Sequence, residues 1–167
     1  NYDTYGNVRL GNVTLRQIRV KSQTCPTLVA GGASSSCSPD FSYVDEAQKF
    51  EKPWESDWSP PSKRSSEFEY KTAQQLEEWF AFAGKNAVYP GNGFVSTFST
   101  LGQAAEALAD LQSLEWIDAL TRAIFYDSVS YNANTDFFIQ TRVLFEIYPS
   151  GEFESTIYNR VIDLNFY

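Results

Sequence analysis

Few residues in this chain could do chemistry, and their spacing narrows what that chemistry could be. The 167 residues include two cysteines and no histidine. Without histidine, neither a Ser-His-Asp nor a Cys-His nucleophile can be assembled. Carboxylates remain. Glu77 and Glu78 are adjacent and point to different faces of a helix, whereas Glu67 and Glu69 would share one face of a strand. Neither pair sits in a recognisable motif, and solvated surface is a simpler account than glycosidase-type acid/base work. Gly91 and Gly93 precede no phosphate-binding helix with a lysine, so nucleotide binding has no anchor. The chain is read as non-catalytic and without a cofactor. Calcium is the one small ligand considered, because Asp127, Asn132, Asn134 and Asp136 crowd oxygen donors together. Their spacing is not that of an EF-hand, and capping of a strand corner is the favoured reading.

Cys25 and Cys37 flank a loop rich in Ser, Gly and Ala. A metal site would want further Cys or His. A disulfide is the preferred reading and implies an oxidising compartment; the alternative is two unrelated buried thiols. Asn12-Val13-Thr14 is an N-glycosylation sequon, which points to the same compartment.

The net charge of −8 argues against nucleic acid or an anionic membrane surface as partner. At 43% hydrophobic and 16% aromatic, the chain can build a packed core as a single domain over residues 1–167. No run of apolar residues is long enough to span a bilayer, and the polar start carries no signal peptide. The last residues, Val161 to Tyr167, stay apolar and extended, as if the chain continued.

The elements that must position these residues follow from periodicity. From Asp136 to Tyr148 the sequence alternates as a strand. Phe137, Ile139, Thr141, Val143, Phe145 and Ile147 lie on one face; Phe138, Gln140, Arg142, Leu144, Glu146 and Tyr148 lie on the other. The run Tyr131 to Asn134 reads as an asparagine corner before it, and Glu152 to Arg160 as its hairpin partner. Thr14 to Lys21 and Phe94 to Ser99 are further strands, and Phe68 to Tyr70 is a brief one. Thr72 and Gln75 suggest a capping box for a helix through TAQQLEEWFAFAG, with Leu76, Trp79, Phe80 and Ala83 buried. Thr100 and Gln103 start a clearer helix, striped by Leu101, Ala104, Ala105, Leu108, Leu111 and Leu114. The expectation is an α+β fold: an antiparallel sheet of four to six strands, two or three helices on one face, and a long disulfide-tied loop. Residues 22–66 form that excursion. Its aromatics Phe41, Tyr43, Phe50, Trp54 and Trp58 must be covered, by this domain or by a partner.

Several runs resemble the polycystin family of cation channels. They are Trp116-Ile-Asp118, Thr121-Arg122-Ala123 with Phe125 and Asp127, Tyr131-Asn132-Ala-Asn134, and Arg142-Val-Leu144 with Glu146. Arg9-Leu10, Leu15 to Val20 and Cys25 add a match near the start, and Gly93-Phe-Val a weaker one. The resemblance implies the extracellular or luminal domain between the first two transmembrane helices of a six-helix, calcium-permeable channel subunit. It implies a ciliary, flagellar or plasma membrane, with the cysteine loop, like Cys25 and Cys37 here, pinned by a disulfide. It further implies four copies in a ring, as homo- or heterotetramer, with the loop reaching a neighbour and a polycystin-1-like protein as partner. Cut free of the transmembrane helices, the domain is expected to be monomeric. An adhesion or docking module of a polycystin-1-like subunit, binding protein or glycan, is the alternative.

Overall fold

Alternating β-branched and aromatic residues dominate this chain, and they resolve into strands. The computed structural model describes residues 6–25 and 36–163. Its strands are β1 Asn7–Arg19, β2 Gln23–Thr24, β3 Ser36–Cys37, β4 Tyr70–Lys71, β5 Phe82–Ala83, β6 Val88–Tyr89, β7 Gly93–Phe98, β8 Thr121–Asn132, β9 Phe137–Ile147 and β10 Phe153–Asp163. Six of them make one antiparallel sheet in the order β10-β9-β8-β1-β7-β4, and β2-β3 and β5-β6 are two small ribbons. The α-helices among the described residues are α1, Ala73–Leu76, and α2, Leu101–Ser113; Ser65–Phe68 is a 3-10 turn.

This corrects the expected α+β architecture. The fold is mostly antiparallel sheet, and only α2 is longer than one turn among the described residues. The capping box at Thr72 does form: the Gln75 amide donates to Thr72 Oγ1 at 3.3 Å, and the Thr72 amide to Gln75 Oε1 at 2.8 Å. The helix nonetheless stops at Glu77, which turns left-handed at φ 58°. Long-range anchors override the local periodicity. Glu78 is held by Arg142 at 2.6 Å, and Phe82 wedges between the rings of Phe125 and Tyr158, 5.5 and 4.8 Å away. Trp79 and Phe80, expected inside, are 66% and 86% exposed.

The strands also differ from expectation in extent. The sequence pattern marks only the corner at Tyr131–Asn134, yet β8 runs from Thr121 to Asn132 and pairs along its length with both β1 and β9. β1 begins earlier than Thr14 and carries a register shift between Leu10 and Thr14, where Gly11 takes φ 65°. That conformation suits glycine because no Cβ meets the backbone.

The middle of the sheet is covered on both faces. On one, Ile18, Val20, Ala123, Phe125 and Leu144 pack with Phe41, Tyr89 and Leu120. On the other, Phe94, Phe50, Phe68 and Trp116 pack with Leu111 of α2, and Val13 and Phe98 with Ala107. Helix α2 thus buries Ala107 and Leu111, while Leu108 and Ala105, placed in its apolar stripe by spacing, are exposed.

Strand β9 turns its mixed face inward: Leu144 and Glu146 are buried. Its apolar face, with the cross-strand partners Phe153, Ile157 and Val161 of β10, lies on the α2 side beyond the reach of α2. Those three are 70%, 65% and 59% exposed. Leu144→Ala should therefore cost about 2–5 kcal/mol through lost burial and a cavity. Ile157→Ser should stay within about 0.5 kcal/mol. Urea melts of the two variants check this, and equal losses would refute the assignment of faces.

Candidate functional site

The polar residues singled out in the sequence converge on two buried frameworks that fasten the irregular segments to the sheet. The first is built around Arg19, at the end of β1. Its guanidinium makes a two-pronged pair with Asp118 at 2.7 and 2.8 Å, donates to the Glu51 carbonyl at 3.1 Å, and lies 3.7 Å over the Phe50 ring. Burial pulls the Arg19 pKa below its ordinary value, and Asp118 opposes that shift. Thr121 Oγ accepts from the Asp118 amide at 3.0 Å and from Gln17 Nε2 at 2.6 Å, and Gln17 also donates to the Trp116 carbonyl at 2.6 Å. The Trp116 indole donates to the Glu67 carbonyl at 2.8 Å. Arg122 donates to the carbonyls of Pro39 at 2.7 Å and Ala119 at 3.0 Å. The run from Trp116 to Arg122, with Arg19 paired to it, therefore holds the long excursion at Pro39 and Glu51, and the 3-10 turn at its end at Glu67.

The second framework lies under the residues after α1. Arg142 donates to Asp127 at 2.5 Å and to Glu78 at 2.6 Å. Glu146, fully buried, accepts from the amides of Lys85 and Asn86 at 2.8 Å each and from the Tyr89 hydroxyl at 3.0 Å. Burial and the Glu146 charge push the Tyr89 hydroxyl far above its ordinary value. Arg16 donates to the carbonyls of Pro90 and Asn92 at 2.7 and 3.0 Å, and burial lowers its pKa to about 10. Two glycines are required by close approach. A Cβ at Gly84 would press on the Glu146 carboxylate, and one at Gly91 would run into the Glu78 carbonyl.

The asparagine corner is held by side-chain hydrogen bonds. Tyr131 donates to Asp136 at 2.7 Å, Asn132 to the Asn7 side chain at 2.7 Å, and the Asn134 amide to Asn132 Oδ1 at 2.9 Å. The left-handed residue there is Asp136, at φ 58°, and Asp127 is spent on Arg142. Among the described residues no group of three or more His, Cys, Asp or Glu is placed to hold a metal. The two carboxylate pairs part company: Glu67 is buried against Arg64 and Ser96 while Glu69 is exposed, and Glu78 is bound while Glu77 is exposed.

Cys25 and Cys37 are joined by a disulfide. Residues 26–35 between them lie outside the described residues, and Asn12 of the sequon is exposed. Of the five aromatics named for a partner surface, Phe41 and Phe50 are buried in this chain. Phe41 packs on Tyr89 at 5.1 Å, and Phe50 stacks with Trp58 at 5.3 Å. Trp58 is half-buried, and Tyr43 and Trp54 are exposed. The most exposed aromatic pair, Trp79 and Phe80, was missed because helical spacing placed it inside. The signal available was the crowding of Gly84, Gly91 and Gly93 nearby, which favours tight backbone contacts.

A match to the Polycystin domain family model covers residues 1–164. Polycystin-2 of Caenorhabditis elegans is 31% identical over 150 residues, covering 88% of this chain and 20% of that protein. Polycystin-2-like protein 2 of Mus musculus is 33% identical over 150 residues, with 88% and 22% covered. Polycystin-1-like protein 3 of Mus musculus is 24% identical over 153 residues, with 89% and 7% covered. The chain thus spans about a fifth of the length of the polycystin-2 relatives.

Two outcomes follow from the frameworks. Asp118→Ala leaves Arg19 buried without its partner and should cost about 3–5 kcal/mol, read by denaturant melts; a loss below 1 kcal/mol would show the pair to be incidental. Glu46 is buried, and that burial raises its pKa against hydrogen bonds from Tyr70 at 3.0 Å and Asn92 at 3.3 Å. A carboxyl raised in the folded state contributes stability below the ordinary carboxylate pKa, which is lost as pH rises through the folded value. Glu46→Gln should therefore raise Tm at neutral pH. The gain should vanish below the usual carboxylate range in Tm measured against pH, and a pH-independent change would contradict it.

Proposed function

The chain belongs to the polycystin domain family, and on that footing we propose that it is the extracellular assembly and gating domain of a polycystin-type cation-channel subunit. The family match over residues 1–164 carries this reading. The geometry supports it: buried polar groups are committed to fixing backbone, and the result is a rigid body with exposed aromatics at its surface. No helix among the described residues is long and apolar enough to cross a membrane, and the Cys25–Cys37 disulfide suits an oxidising compartment. The channel would be calcium-permeable and sit in a ciliary, flagellar or plasma membrane, with Asn12 glycosylated on the outer side. Neighbouring subunits, in a homo- or heterotetramer, are its partners, and no catalytic step or cofactor is invoked. The likeness to Polycystin-1-like protein 3 favours a second reading, a docking module of a polycystin-1-like subunit.

The test is a graft. Residues 1–167 replace the matched region of a polycystin-2 channel, and differently tagged subunits are co-expressed. The graft should restore mutual capture and current that deletion of the region abolishes. Equal assembly with and without the domain would sink the assembly role; capture only by a polycystin-1-like protein would favour the second reading. In the isolated domain, Cys25→Ser with Cys37→Ser should leave Tm nearly unchanged while weakening capture in the graft. The disulfide closes a loop tied to the rest by the short β2-β3 ribbon.

A further inference from the structure

We propose that Trp79 and Phe80 form the contact by which one copy of this domain engages the next, seating on the uncovered face of β9 and β10 of that neighbour. This rests on the assembly reading and names its surfaces. Trp79 and Phe80 are adjacent, large and mostly open to water. Their segment is held from several sides. Arg142 holds Glu78, Gly91 closes on the Glu78 carbonyl, Phe82 is wedged between Phe125 and Tyr158, and Glu146 takes the amides of Lys85 and Asn86. A tip fixed in this way loses little further freedom on binding, so more of the gain from burying two aromatics is kept.

The receiving surface is on the same chain but on the opposite side of the sheet. Phe82 packs on Phe125 and Tyr158, which share the inward face with Leu144. Phe153, Ile157 and Val161 share the other face with Ile147, Val143 and Ile139. From Phe153 to Val161 and from Ile139 to Ile147 that face carries no charged side chain. Copies of a chain with net charge −8 repel one another in general. A charge-free plate is where an aromatic tip can approach at least cost, and Glu78 beside the tip is turned back onto Arg142. With tip and plate on opposite faces, one two-fold contact cannot satisfy both. The contact is head-to-tail, the kind that closes into a ring or runs on as a stack.

Cysteine cross-linking in the grafted channel tests this. Phe80→Cys in one tagged subunit and Ile157→Cys in another should give an intersubunit disulfide. Phe80→Cys with Glu106→Cys, an exposed position on α2, should not. Trp79→Ser with Phe80→Ser should lower subunit capture at least tenfold while leaving the melting temperature of the isolated domain unchanged. Cross-linking through Phe80→Cys alone would mean tip-to-tip pairing and overturn the proposal. Normal capture with no Phe80–Ile157 cross-link would overturn it and leave the assembly reading standing. Grafted subunits that do not capture one another at all would overturn both.

Discussion

The buried pair of Arg19 and Asp118 is the interaction on which the rest of the structure depends. It ties the end of β1 to the turn that launches β8, the two strands at the centre of the sheet. The same guanidinium reaches the Glu51 carbonyl and covers Phe50, so the long excursion is fastened at the same point. A charge this deep is tolerable only because its partner is bidentate and the ring face supplies a further attractive surface. Take Asp118 away and three separate parts of the chain lose one anchor together, because the orphaned cation would have to find water.

Arg142 and Glu146 repeat the device on β9, and they explain why an apparently mixed face is the inner one. A strand normally buries its more apolar side. Here the loops that cover the sheet are rich in backbone groups that need partners, and a buried carboxylate accepting two amides and a hydroxyl meets that need. The apolar face is then left at the α2 side, where α2 reaches only as far as Leu15 and Tyr126. Satisfying loop backbone on one side has exposed hydrocarbon on the other.

That trade marks where the sequence was legible. β9, β10, β7 and α2 could be read because period and caps are local properties, and the Thr72 capping box formed as read. What followed it could not be read. Whether Leu76, Trp79 and Phe80 form a helical stripe is decided by Arg142, 64 residues away from Glu78, and by a glycine that lets the Glu78 carbonyl close in. The cysteine pair and the excursion were legible from composition, but the division of its aromatics was not. Phe41 and Phe50 differ from Tyr43 and Trp54 only in which meet Tyr89, Phe68 and Phe94, a fact of tertiary contact. The carboxylates of the motif runs carried no mark separating a capping role from a catalytic one; Asp118 and Glu146 are identified as clamps only by the donors around them.

The distribution of charge follows from the same clamps. Asp118, Asp127, Glu78 and Glu146 are drawn inward by arginines, amides and a hydroxyl, so the acidity that remains at the surface falls elsewhere. A domain arranged this way can stay soluble through its surplus negative charge while keeping its largest apolar surfaces free of it. Since the tip is fastened to β9 by Arg142 and Glu146, and β9 is bonded to β8 and β10 along their lengths, displacement of the tip is carried into the sheet rather than absorbed by a hinge. The groups that hold Trp79 and Phe80 outward also fasten them to the sheet behind them.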